Sequence, residues 1–141
     1  TKEDSQLEHC LLVKNCDLGN YVDKFNPVAL IWNNKALKNV HPNIKQIYNM
    51  GEVKGLDFPN VIIYPTESML KWVNNMSIRL ADETRAKFYV AVTRAEITMA
   101  IVVPDNFCIS SDSALKFWQF DLEIHKTIKC HDWGNNILTR F

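Results

Sequence analysis

Glycine is scarce in this chain: its 141 residues hold only Gly19, Gly51, Gly55 and Gly134. A phosphate-binding loop of the form GxxxxGK[ST] needs two glycines five apart ahead of a lysine, because bare amides must wrap the phosphates, and no pair here has that spacing. The same scarcity excludes a GxGxxG dinucleotide turn. Cysteine is sparse and irregular. Cys10, Cys16, Cys108 and Cys130 form no CxxC pair, and with His9, His41, His125 and His131 they offer only the dipeptides HC and CH. No zinc-ligand spacing follows, so the expectation is no metal site, with buried thiols and surface imidazoles instead. A disulfide framework is equally unsupported, which points to reduced thiols and a cytoplasmic setting. There is no GxSxG elbow. No apolar run approaches the ~20 residues that cross a bilayer, and no signal-peptide pattern opens the chain. The formal net charge is zero, so any contact with nucleic acid must come from a local patch or from another part of a larger protein.

What is present is an ordinary globular composition. Hydrophobic residues make up 47% and charged residues 23%, enough apolar material for one packed domain over residues 1–141 and too little polarity for disorder. The first residue is Thr1 rather than methionine, which reads as a segment of something longer.

The apolar runs suggest the order of elements. "HCLLV" reads as a short strand, followed by a loop at Asp17 to Asn20. "PVALIW", Pro27 to Trp32, is a continuous apolar run opened by proline and closed by two asparagines, as a fully buried strand would be. "IKQIYN", Ile44 to Asn49, is a weaker strand candidate. "VIIY", Val61 to Tyr64, reads as a buried strand ended by Pro65. A short helix is expected after it, with Met69, Leu70 and Val73 on one face and a partial capping box at Thr66. The clearest helix is Leu80 to Ala95, where Thr84, Phe88, Ala91, Val92 and Ala95 form one stripe and Lys87 and Arg94 fall off it. "ITMAIVVP" then reads as a buried strand. Strands alternating with helices predict an α/β domain with a mostly parallel sheet. In "ALKFWQFDLEI" the spacing fits helix and strand equally. The four tryptophans, Trp32, Trp72, Trp118 and Trp133, read as core on their apolar neighbours, with stacking against bases as the alternative.

Two stretches carry chemistry. "GEVKGLD", Gly51 to Asp57, follows a strand, and in α/β sheets the carboxyl ends of strands are where ligands sit. Gly51 and Gly55 would let the backbone approach a phosphate or sugar, and Asp57 would accept a hydrogen bond from a hydroxyl. A plain surface turn with solvated charges is the competing reading. "KFYVAVTRA", Lys87 to Ala95, ends in an arginine off the packing stripe. A guanidinium stays ionised and binds two oxygens at once, which suits a transferring phosphoryl group. A contact with the helix C-terminal dipole, or a surface ion pair, would explain such an arginine equally well.

Together and in this order, the two stretches resemble motifs V and VI of the UvrD/Rep-like superfamily I DNA helicases. "VKGLDFPNVII", within motif V at residues 49–58 and the strand after it, looks like the family's KGLEF element. "FYVAVTRA", within motif VI at residues 87–95, is similar to its YVAxTRA element. The resemblance covers about residues 44 to 103. It implies a RecA-like domain without its own P-loop, the C-terminal half of a motor that faces an N-terminal ATPase domain of the same polypeptide across ATP and Mg2+. Carried over, Arg94 would reach the γ-phosphate, and Asp57 would stand in the place of a glutamate near the ribose. Lys54 and Gly55 would form the turn beside it, and Tyr89 and Thr93 would support the arginine. Asn49 and Lys54 would face single-stranded or partly duplex DNA. The sequence departs from the family where a threonine and a histidine upstream of KGLE are replaced by Asn49 and Gly51, and where the glutamate is shortened to Asp57. No NYRS-like element occurs in residues 1–40. The resemblance therefore implies either a motor half or a non-catalytic module of helicase ancestry that binds or regulates a partner protein.

Overall fold

The computed structural model describes residues 9–110 and 113–139. Five strands form one sheet: β1 (His9–Lys14), β2 (Val28–Ile31), β3 (Ile47–Asn49), β4 (Phe58–Ile63) and β5 (Ala95–Val103). Their order across the sheet is β1-β5-β4-β2-β3, and every pairing between them is parallel. Four helices complete the domain: α1 (Asn15–Phe25), α2 (Glu67–Asn74), α3 (Asp82–Val92) and α4 (Cys130–Thr139). The α/β architecture with a parallel sheet is the one the strand–helix alternation predicts.

The central residues of β1, β2, β4 and β5 are apolar because both faces of the sheet are covered there. Cys10, Leu12, Leu30, Val61, Ile63, Met99 and Ile101 point to one side, where α2, α3 and α4 supply Met69, Trp72, Phe88, Val92 and Trp133. Their neighbours Leu11, Val13, Ala29, Ile31, Ile62, Ala100 and Val102 point to the other, against Leu18, Tyr21 and Val22 of α1 and against Trp118. Trp72, Phe88 and Trp133 meet edge to face, with centroids 5.7–6.1 Å apart, a preferred geometry for aromatic pairs. The outer edge of β1 is occupied. Leu12 donates its N–H to the Lys116 carbonyl (2.9 Å) and accepts from the Trp118 N–H (2.7 Å), and Cys10 donates to the Ile128 carbonyl (2.8 Å). This covering removes a free edge that would otherwise template pairing with another chain.

Several expectations need correction. Asp17 to Asn20 is not a loop but part of α1: Leu18, Tyr21 and Val22 recur at helical spacing and are buried, and the intervening polar residues and Gly19 hide that stripe. The third strand is only Ile47–Asn49, because Ile44 closes a turn with the His41 carbonyl. The long helix ends at Val92 rather than Ala95, since Ala95 is already paired with Phe58 in the sheet. The undecided segment is mostly neither helix nor strand; Phe117 forms an isolated bridge to Leu12, and a 3-10 turn follows at Ile124–Lys126. His9 is a buried imidazole rather than a surface one, with Nδ1 3.1 Å from the Thr127 hydroxyl. Cys16 and Cys108 are exposed, whereas Cys10 and Cys130 are buried. Trp72, Trp118 and Trp133 are core.

Leu12 is fully buried between β5 and the covering segment, so Leu12→Ala should destabilise the domain by about 2–5 kcal/mol in a urea titration. Leu37→Ala, at a side chain that is 45% exposed, should shift it by no more than about 0.5 kcal/mol.

Candidate functional site

The candidate residues split between the two ends of the sheet. The connection from β3 to β4 starts at the carboxyl end of the sheet, where Asn49 is level with Ile31, and must return to the amino end to enter β4 in parallel. The register places Asn49 about seven residues along the strand axis from Asp57, about 20 Å at strand rise. A 3-10 turn, Met50–Glu52, begins that return, with the Glu52 carboxylate accepting the Asn49 N–H (3.2 Å). Val53 to Leu56 then form a β-turn closed by Leu56 N–H to Val53 O (3.0 Å). Gly55 occupies its third position with φ +87, the left-handed conformation that a type II turn reserves for glycine. The sequence argument places the whole loop at a carboxyl end; only its start lies there, and Lys54, Gly55 and Asp57 sit at the amino end of β4.

Arg94 is at that same end. The helix α3 stops one turn short of the sheet, and Thr93 and Arg94 form the junction into β5. Phe58 donates its N–H to the Arg94 carbonyl (3.0 Å), so the two motifs are bonded through their backbones. The side chain adds a second link. Nε donates to the Val90 carbonyl (3.0 Å), Nη1 to the Leu56 carbonyl (3.2 Å) and Nη2 to the Thr93 hydroxyl (3.4 Å). Thr93 in turn donates its hydroxyl to the Tyr89 carbonyl (2.9 Å). Each terminal nitrogen keeps one N–H uncommitted by these bonds, and no carboxylate pairs with Arg94 among the described residues. Lys54 and Asp57 are exposed, with no ion-pair partner among the described residues. Leu56, whose carbonyl accepts from Arg94, and Ile97, three residues after the arginine in the chain, are both exposed. Ile97 lies in a bulge where β5 carries one residue more than β4 between the Phe58–Ala95 and Asn60–Thr98 pairs, a feature frequent beside functional sites.

Gly51 does not offer its backbone to a ligand. A Cβ there would lie 3.3 Å from Cε of Lys87, so the open space beside this glycine is already filled by a side chain of α3. Lys87 continues to the Trp32 ring (Nζ 4.7 Å from its centroid) and pairs with Glu83 (2.9 Å). Trp32, half-buried, is thus a partner for a cation rather than wholly core. Sequence reasoning passed over Lys87 because it lies off the apolar stripe, and nothing in the spacing pairs it with Trp32.

A buried polar row stands behind the amino end. Tyr21 Oη lies 2.7 Å from the Thr98 hydroxyl, Thr98 donates to Asn60 Oδ1 (2.7 Å), and Asn60 Nδ2 donates to the Phe25 carbonyl (3.0 Å). Burial pushes the Tyr21 phenol well above its ordinary range, more than the Thr98 bond lowers it, so it stays a neutral hydroxyl. This chain joins α1, β4 and β5 under the site. Among the described residues no three His, Cys, Asp or Glu side chains converge as metal ligands, and no helix is long and apolar enough to cross a membrane.

No protein-family model matches the chain, and no curated protein does.

At Gly55 the added methyl of an alanine meets nothing within 4 Å, so Gly55→Ala isolates the backbone term. It should cost about 1 kcal/mol in thermal or urea unfolding.

Proposed function

We propose that this chain is the second, RecA-like half of an ATP-dependent DNA motor of the UvrD/Rep-like superfamily I type. It would complete an ATP site when joined to an N-terminal ATPase domain, and step along single-stranded DNA as the two halves open and close. The observation that carries this reading is the setting of Arg94. A half-buried arginine is held by bonds to two carbonyls and one hydroxyl, with unused N–H groups and no carboxylate among the described residues to neutralise it. An arginine oriented but not neutralised suits an anionic ligand that arrives from outside the domain.

In this reading the guanidinium faces the γ-phosphate of ATP, which supplies the transferable phosphoryl group. Asp57 lies on the same end of the sheet, exposed, where its carboxylate would accept hydrogen bonds from ribose hydroxyls. Lys54 and Gly55 shape the turn that holds it. The P-loop lysine and the magnesium ligands belong to the other half, because this chain has neither a phosphate loop nor a described cluster of metal-ligating side chains. Leu56 and Ile97 give that half an apolar rim to dock against. Asn49 lies at the opposite, carboxyl end of the sheet, so a DNA contact there would be separated from the nucleotide by the length of β4.

A second reading has its own support. The same three hydrogen bonds make Arg94 a staple between α3 and the motif V turn, and that role survives in a non-catalytic module that binds or regulates a partner protein. The two are separated by ATP turnover, with and without single-stranded DNA, in a polypeptide carrying both halves. For the motor, Arg94→Ala should lower turnover by about 10³–10⁵ while ATP still binds, and Arg94→Lys should restore little because the fork geometry is lost. Equal turnover in the parent and in Arg94→Ala would overturn the motor and favour the module.

A further inference from the structure

We propose that helix α4 is the clamp that sets the direction of Arg94, and that Gly134 is the contact through which it acts. This rests on the proposed role of Arg94 for its functional meaning, but its structural content stands separately. Helices α3 and α4 cross on one face of the sheet, and at the crossing Gly134 faces the last turn of α3. A Cβ built on Gly134 would lie 3.3 Å from Val92 Cγ1, 3.6 Å from Thr93 Cγ2 and 3.6 Å from Tyr89 Cε1. Of these three, Thr93 bonds directly to the arginine side chain, whose other two acceptors are the Val90 and Leu56 carbonyls. Thr93 accepts from Nη2 and is bonded to the Tyr89 carbonyl, and Val92 and Thr93 lead directly into Arg94.

The remainder of α4 is anchored so that the glycine has no room to withdraw. Trp133, next to it, is buried edge-on against Trp72 and Phe88, with centroids 5.7 and 6.1 Å apart. Cys130 and Ile137 are buried on either side of it. The three helices of this face, α2, α3 and α4, therefore meet at one aromatic cluster. Glycine in the middle of a ten-residue helix is intrinsically unfavourable by about 1 kcal/mol relative to alanine. Its presence there has a reason if a closer helix approach is what keeps the guanidinium on the Leu56 carbonyl. Gly134 is a positioning residue, distant from any ligand and acting through Thr93 and Val92.

The test uses Gly134→Ala and Gly134→Val in the 141-residue chain, with Gly19→Ala as control. Gly19 lies in α1 on the opposite face of the sheet, and a Cβ there makes only an ordinary 3.6 Å contact with His41. The readout is hydrogen exchange of the Arg94 Nε–H followed by NMR, alongside thermal unfolding. Alanine should change the unfolding temperature little, its gain as a helix former offset by the 3.3 Å contact with Val92, while Nε–H exchange speeds up about tenfold as the bond to the Val90 carbonyl loosens. Gly19→Ala should leave that exchange unchanged. Unchanged exchange in Gly134→Ala overturns the clamp, whether or not the valine variant folds. In a polypeptide carrying both halves, the alanine variant should lower kcat about tenfold with KM for ATP within about twofold. If Arg94→Ala itself leaves turnover unaltered there, the motor reading fails while the clamp, read by exchange, stands.

Discussion

The pairing of Phe58 with Ala95 governs the amino end of this molecule. It is the first rung between β4 and β5, and the Phe58 N–H reaches the carbonyl of Arg94, so the residue carrying the guanidinium is bonded to the sheet through its backbone. With that rung in place, α3 must end before the strand begins, and the arginine falls at the junction rather than on the helix. The side chain then folds back to the Val90 carbonyl in the last turn of α3 and to the Leu56 carbonyl of the turn before β4. Two segments distant in the chain, Leu56 and Arg94 being 38 residues apart, become one surface.

Around this junction the support is layered by chemistry. The backs of β4 and β5 are apolar and packed on both faces, which holds the two strand ends at fixed separation. Just inside the edge, the Tyr21–Thr98–Asn60 chain satisfies the polar groups that the bulge and the end of α1 bring under cover. A satisfied buried network of this kind tolerates few alternative arrangements. Toward solvent, Lys54 and Asp57 are exposed. The gradient from apolar to neutral polar to charged within a few residues answers why glycine and charge stand so close to a core strand: the turn must both reverse the chain and end at an exposed face.

The long return from β3 to β4 has a second effect. Because β3 and β4 run in the same direction with β2 between them, their connection must pass from one end of the sheet to the other. Its two ends therefore do different things. At the carboxyl end Asn49 starts a 3-10 turn, and Lys87 fills the space beside Gly51 while lying over Trp32. At the amino end the type II turn at Gly55 presents Lys54 and Asp57. Helix α3 reaches one end of the loop through Lys87, and Arg94, two residues past its last turn, reaches the other, so a shift of this helix along its axis would be felt at both.

Period and composition in the sequence were enough to determine the fold class, the four longer strands, α2 and α3. Strands buried on both faces need continuous apolar runs, and "PVALIW" and "ITMAIVVP" have few other uses in a globular chain. The turn at Gly55 was also legible, because only glycine takes that φ readily, and so was the placing of Arg94 off the apolar stripe, though not the carbonyls it bonds. Helix α1 was missed because its stripe is only Leu18, Tyr21 and Val22 amid polar residues. The tertiary structure alone decided that Asp57 and Arg94 share the amino end of the sheet while Asn49 lies at the other, since strand order and direction are set by packing between distant segments. It also decided that Gly51 receives Lys87 and that Gly134 receives the end of α3. Such contacts depend on which surfaces meet across tens of residues, and local spacing carries no record of that.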